Sequence, residues 1–254
     1  MSDQAVQPAA EGVKPGLTQW QRVANTFTAP SKTFEDIKRG NRSWWLPYLI
    51  MILVGYIFFA AITTKIGWNQ VAQNAIHLNP KAEERMAQAP PAQRDISMKF
   101  TEYFTEGISA ASPVVLLIAA AVMSLVLWGT INFGFAGKAT FPSVFAVLMY
   151  AWLPGIVKSL LGTIVIFAGM APESFNIRNF APTNIGAFLN PADTNKILYS
   201  LASSIDFVTI WSLVLMGIGV SIVAGVKRSS GYIAVFGWWA VMVIGGVIFA
   251  AVNS

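Results

Sequence analysis

Cysteine is absent from the 254 residues, and histidine occurs once, at His77. The first absence excludes disulfides, thiolate metal sites, cysteine nucleophiles and lipidated cysteines together. The second leaves no imidazole cluster to hold a metal, and a lone histidine in a predicted loop reads as a solvated side chain. Charge is also scarce. Only 11% of residues are Asp, Glu, Lys or Arg, against roughly 25% in an ordinary soluble domain. No P-loop is present, no histidine lies in an apolar run, and only one aspartate does. Intramembrane proteolysis, metal-assisted hydrolysis and nucleotide-driven chemistry therefore lack their residues, and the expectation is a non-enzyme without cofactor or metal. Nothing resembles a nucleic-acid motif. The first forty residues are polar, with no short apolar segment and cleavage site, so the first span is expected to act as its own signal-anchor.

What is abundant is apolar length: 55% of the residues are hydrophobic. Five runs reach the about 20 residues that a helical crossing needs: about Trp45–Ile66, Ser109–Phe135, Phe141–Met170, Leu201–Val226 and Tyr232–Val252. The runs are continuous and lack period-two alternation, so they read as helices and not as barrel strands. The fold class expected is all-α: a polytopic membrane protein of five transmembrane helices, the third kinked. Residues 1–43 form an N-terminal arm, 44–254 the membrane domain, and 67–107 a helical insertion within it. In that insertion, Asn79 reads as an N-cap with Pro80 at the first helical position. A second helix from about Pro91 carries Ile96, Phe100, Tyr103 and Phe104 on one face. Residues 171–196, rich in Asn and Pro, read as irregular.

Lys and Arg set the orientation. Lys14, Arg22, Lys32, Lys38, Arg39, Arg42, Lys138, Lys227 and Arg228 fall on one side of the spans. The other side carries six, spread over two longer loops, four of them among acids. The N-terminus is therefore expected to be cytoplasmic and, with five crossings, the C-terminus outside.

Two spans carry residues that a lipid-facing helix would not choose. The third holds Pro154, which should free the carbonyl of Tyr150 and bend the helix, and Lys158 one turn on. A lysine deep in the bilayer costs about 2.5–3.5 kcal/mol on insertion scales. Either its side chain snorkels to the headgroups, or it pairs with an acid: Asp206, the one acid within a span, which enters from the same side, or Glu102 or Glu106 just before the second span. The kink serves packing or opens a polar cavity. The fourth span carries Gly217, Ser221 and Gly225, a ridge of small residues suited to close packing inside the monomer or to a homo-oligomer. In the arm, Leu17, Trp20, Val23 and Phe27 recur at helical spacing beside Arg22. They read as an interfacial helix on the inner face, or as a loose tail. With Lys38, Arg39, Arg42, Trp44 and Trp45 they form the expected headgroup contact, for anionic lipids in particular. Trp238 and Trp239 read as an interface belt.

Three stretches taken in order carry a family resemblance. They are "TAPSKTFEDIKRGNRSWWLPYLI" (28–50), "YAWLPGIV" (150–157) and "IWSLVLMGIGVSIVAGVKRSSGY" (210–232). With five spans and an inside N-terminus, the chain resembles the bacterial branch of the Yip family, the Ypt/Rab-interacting proteins, from about Phe27 to its end. The resemblance implies the five-span fold and a place in a bacterial inner membrane. Eukaryotic members bind small GTPases and shape or traffic membranes. The arm here lacks their acidic "DLYGP"-like box, so GTPase binding is not carried over. The function expected is a membrane-organising or adaptor role with an unidentified protein partner. The alternative is a transporter or channel around Pro154 and Lys158.

Overall fold

The computed structural model describes residues 16–191 and 193–252. Lys14 and the rest of the arm before Gly16, with the last two residues, lie outside the described residues. Every regular element among the described residues is helical. Two short helices open the chain: α1 (Gln19–Thr28) and α2 (Pro30–Lys38). A capping box starts α1: the Thr18 hydroxyl accepts the Gln21 N–H, and the Gln21 side chain accepts the Thr18 N–H. Pro30, at the first turn of α2, forces the corner between them.

Among the described residues, five helical segments are long and apolar enough to cross a membrane: Trp45–Ile66, Ser112–Gly134, Phe141–Phe167, Phe207–Ala224 and Arg228–Val252. The first is α3 (Trp45–Ala61), widened to π geometry over Ile62–Ile66. Between it and the second come α4 (Trp68–His77), α5 (Pro80–Gln88) and α6 (Pro91–Ala110). Asn79 caps α5, its side chain accepting the Ala82 N–H at 3.3 Å. α4 was not foreseen: "WNQVAQNAIH" is short and polar, and its one apolar face is covered only by the tertiary fold. Asn74 on α4 donates to the Pro172 and Phe175 carbonyls at 2.8 and 2.9 Å, which ties the 171–196 segment to this insertion. On α6, Ile96, Phe100, Tyr103 and Phe104 stay exposed.

The second span is α7 (Ser112–Gly129), which continues to Gly134. The third is kinked as two pieces, α8 (Phe141–Ala151) and α9 (Gly155–Phe167). Pro154 has no N–H to donate, but the Tyr150 carbonyl is not left free. It accepts the Leu153 N–H at 3.2 Å, the first of a run of i to i+3 bonds that carries the chain through the bend. The expected fourth run, Leu201–Val226, is broken into α10 (Lys196–Ser204) and α11 (Phe207–Ala224). α12 (Arg228–Val252) closes the bundle, with Trp238 and Trp239 ten residues into it instead of at its start.

The main core joins α2 to α7, α8, α11 and α12, and includes Phe34, Ile37, Val147, Tyr150 and Val220, all fully buried. α11 lies at its centre. One face presents Gly217, where a Cβ would overlap the Tyr232 ring of α12. The opposite face presents Gly219, where a Cβ would crowd Val147 of α8 and Phe34 of α2. Ser221 is buried between α11 and Gly231 of α12. The ridge of Gly217 and Ser221 is thus used against α12 of the same chain. Gly225 belongs to no ridge. Its φ of +68° makes it the left-handed stop that ends α11.

Candidate functional site

The break between α10 and α11 builds the polar centre. Asp206 is the N-cap of α11: its Oδ1 accepts the Thr209 N–H at 2.8 Å. Its Oδ2 accepts the Thr183 hydroxyl at 2.6 Å and the Lys158 ammonium at 3.1 Å. Thr183 is positioned by backbone, because its carbonyl accepts the Phe207 N–H at 2.9 Å. Asp206 is fully enclosed, whereas the Lys158 side chain keeps 24% of its surface. The ammonium also lies 5.6 Å from the centre of the Phe180 ring, a cation–π contact. Gly162, one turn beyond Lys158, makes room for that ring; a Cβ there would come within 2.6 Å of Phe180 and 2.9 Å of Phe58. Thr183 and Phe180 sit in the Asn- and Pro-rich loop and carried no signal in the sequence. Gly162, four residues after Lys158 on a helix, offered a faint one.

Beneath this pair lies a cavity of about 630 Å³, bounded by all five spans. That falls in the range of small-molecule sites, about 300–1,000 Å³. Lys158, Ser159, Thr209 and Ser212 stand at one end; Met51, Met123, Leu127, Met216 and Val235 line the remainder.

A second buried charge pair stands at the other end of the bundle. Arg22 lies 3.8 Å from Asp36, both inaccessible. Its guanidinium donates to the Asn41 carbonyl and sits 5.5 Å from the centre of the Tyr150 ring. Asp36 in turn accepts the Leu17 N–H at 3.1 Å and the Asn41 amide at 2.8 Å. Tyr150 donates its hydroxyl to the Ser43 carbonyl at 3.1 Å. Arg22 is therefore no headgroup ligand: the fold encloses it where a lipid cannot reach. Trp20, Lys38, Arg39, Arg42 and Trp45 remain exposed. Phe27 packs on Trp211, and Trp44 on Tyr48 and Phe145.

A family model described as the Yip1 domain matches residues 24–249. The chain belongs to the Yip1 family. No curated protein and no solved structure matches it. The Yip1 domain thus takes in α2, all five spans, Lys158 and Asp206, and this member is an integral, multi-pass membrane protein.

Proposed function

We propose that this Yip1-family chain is a non-enzymatic membrane-organising or adaptor protein of a bacterial cell membrane, with its arm cytoplasmic. The observation that supports this is the convergence of basic residues from three separate segments on one face. The Lys38 ammonium approaches Gly225 in the turn before Lys227 and Arg228. Arg228 donates to Ser31 at 3.0 Å, and the Lys138 N–H donates to the Ala224 carbonyl at 3.0 Å. All four basic side chains are exposed, as are Arg39 and Arg42. A rigid, positively charged rim at the end of a bundle suits anionic headgroups of the cytoplasmic leaflet or an acidic protein partner. Catalysis finds no support, because the one acid in the polar centre is committed to a helix cap, a threonine and a lysine.

The test is lipid retention by the purified chain, read by native mass spectrometry after exchange into mixed phosphatidylglycerol and phosphatidylethanolamine. Lys38→Gln, Arg39→Gln, Lys227→Gln and Arg228→Gln together should lower the retained phosphatidylglycerol without unfolding the chain. Unchanged retention would remove the anionic-lipid reading. The transporter reading draws on a different observation, the cavity that reaches Lys158. It stands if a solute flux into vesicles depends on that residue.

A further inference from the structure

We propose that the cavity between the spans is a site for a single phospholipid of the leaflet on the insertion side, its head at Lys158 and one acyl chain running inward. Hydroxyls in this protein's helices mostly turn back onto their own backbone. Thr26, Thr64, Thr130 and Thr163 each donate to the carbonyl four residues earlier. Ser159, Thr209 and Ser212 do not: among the described residues their hydroxyls have no protein partner, and all three face the cavity. All three are half-buried, and a ligand in the cavity that supplies acceptors would give them partners. Lys158 adds to them. Of its three N–H groups, one is given to Asp206.

The polarity of the cavity has a direction. α7 and α11 both run from the insertion side toward the arm side. Thr209 and Ser212 lie in the first two turns of α11, while Met216 lies deeper. Ser112 starts α7, while Met123 and Leu127 lie far along it. From Ser112 to Leu127 is about 22 Å at 1.5 Å per residue, enough for the about 15 Å of one hydrocarbon leaflet plus a head. Val115 on α7 and Met242 on α12 line the cavity and are also 42% and 50% exposed, so it opens between these helices toward lipid. The indole of Trp238 donates to Thr130 at 2.9 Å and ties α7 to α12 at the arm-side end of the opening. The apolar part of the cavity, away from Lys158, does not hold water; in a bilayer an acyl chain fills it.

The head is defined by chemistry that phospholipids share. The Lys158–Asp206 pair is neutral overall, and the ammonium and the three hydroxyls all have N–H or O–H groups to donate, so phosphate and ester oxygens are recognised and net headgroup charge is not. This separates the site from the proposed basic rim on the opposite face.

The full chain in nanodiscs of phosphatidylethanolamine and phosphatidylglycerol, doped with phosphatidylglycerol or phosphatidylethanolamine carrying a diazirine in one acyl chain, tests this. On irradiation, both probes should label Met51, Met216 and their cavity neighbours more heavily than lipid-facing Ile118 and Ile248. Gly55 and Gly155 both line the cavity, and a Cβ at either meets nothing within 4 Å. Gly55→Leu with Gly155→Leu should therefore fill the cavity, abolish its label and leave the lipid-facing label intact. Ser159→Ala, Thr209→Ala and Ser212→Ala together, which add no bulk, should lower the cavity label about tenfold or more. Because the chain has no cysteine, Ser212→Cys adds one thiol, which should resist a membrane-impermeant maleimide. Cavity labelling no heavier than lipid-facing labelling, or unaffected by the leucines, overturns the proposal. So does rapid maleimide reaction, which would mean an aqueous path. Labelling by the phosphatidylglycerol probe alone overturns the head assignment.

Discussion

Replacing Asp206 by Asn removes one charge and turns the Oδ2 that accepts from Thr183 and Lys158 into an amide donor. Asn caps a helix as well as Asp does, so the bond to the Thr209 N–H and the start of α11 survive. What is lost is the attraction across 3.1 Å, about 5 kcal/mol gross at an effective dielectric constant near 20. Desolvation of both groups offsets much of that. The stranded ammonium keeps only the Phe180 ring and the 24% of its side-chain surface that is exposed. Asp206→Asn should thus cost about 2–4 kcal/mol, at or below the about 3–5 found for fully buried pairs. At roughly 2–4 °C per kcal/mol for a chain of this size, thermal unfolding in mild detergent should fall by about 4–16 °C. Lys158→Met should cost less, about 1–2 kcal/mol, because the carboxylate keeps Thr183 and Thr209 and is able to take up a proton. The double variant should lose about 1–3 kcal/mol less than the sum of the two. Strict additivity would refute the reasoning, since the two charges would then contribute nothing to each other.

Gly162→Ala should push Phe180 off the lysine and cost about 1–3 kcal/mol by overpacking; an unchanged unfolding temperature would mean that the ring moves freely. Arg22→Met should leave the Asp36 carboxylate enclosed without its cation. A loss of about 3–5 kcal/mol, and faster protease nicking between α1 and α3, are the expected readouts. Gly231→Ala should destabilise more than Gly217→Ala, because its methyl meets the rigid Gly217 carbonyl where the other meets a side chain; the two unfolding curves compare them directly. A periplasm-active reporter fused after Ser254 should work and a cytoplasm-active one stay silent; the reverse would invert the proposed orientation.

The long features were legible. Trp45–Ile66 has the same limits in sequence and structure because a polar segment bounds each end of an uninterrupted apolar run. The fourth run was not, because Ile205 and Phe207 mask the interruption at Asp206. To a hydropathy reading, one carboxylate among apolar neighbours is a charge inside a helix; to the backbone it is a cap, and it ends one helix and begins the next. The meeting of Lys158 with Asp206 could be anticipated because both enter from one side. Thr183, which also holds the carboxylate, could not, because an irregular loop has no periodicity. Arg22 was misread for a related reason. Beside Trp20 and Phe27 it fits an interfacial helix, and only the docking of α2 under α8 and α11 brings Asp36 and Tyr150 around it. Local pattern shows which face of a helix is apolar, but not whether lipid or protein will cover it.

The placement of α2 also constrains how the protein is made. Phe34 is covered by Val147 and by the bare backbone at Gly219, the latter 185 residues later in the chain (34 to 219). At about 5–20 residues per second, the ribosome needs on the order of 10–40 s to supply that surface. With the arm cytoplasmic, as proposed, it waits through that interval on the side where synthesis occurs, with Phe34 and Ile37 uncovered. The arm is then the last piece to seat, and its docking reports that the fourth span has been inserted. A defect in α11 should therefore show first as an arm open to proteases or chaperones.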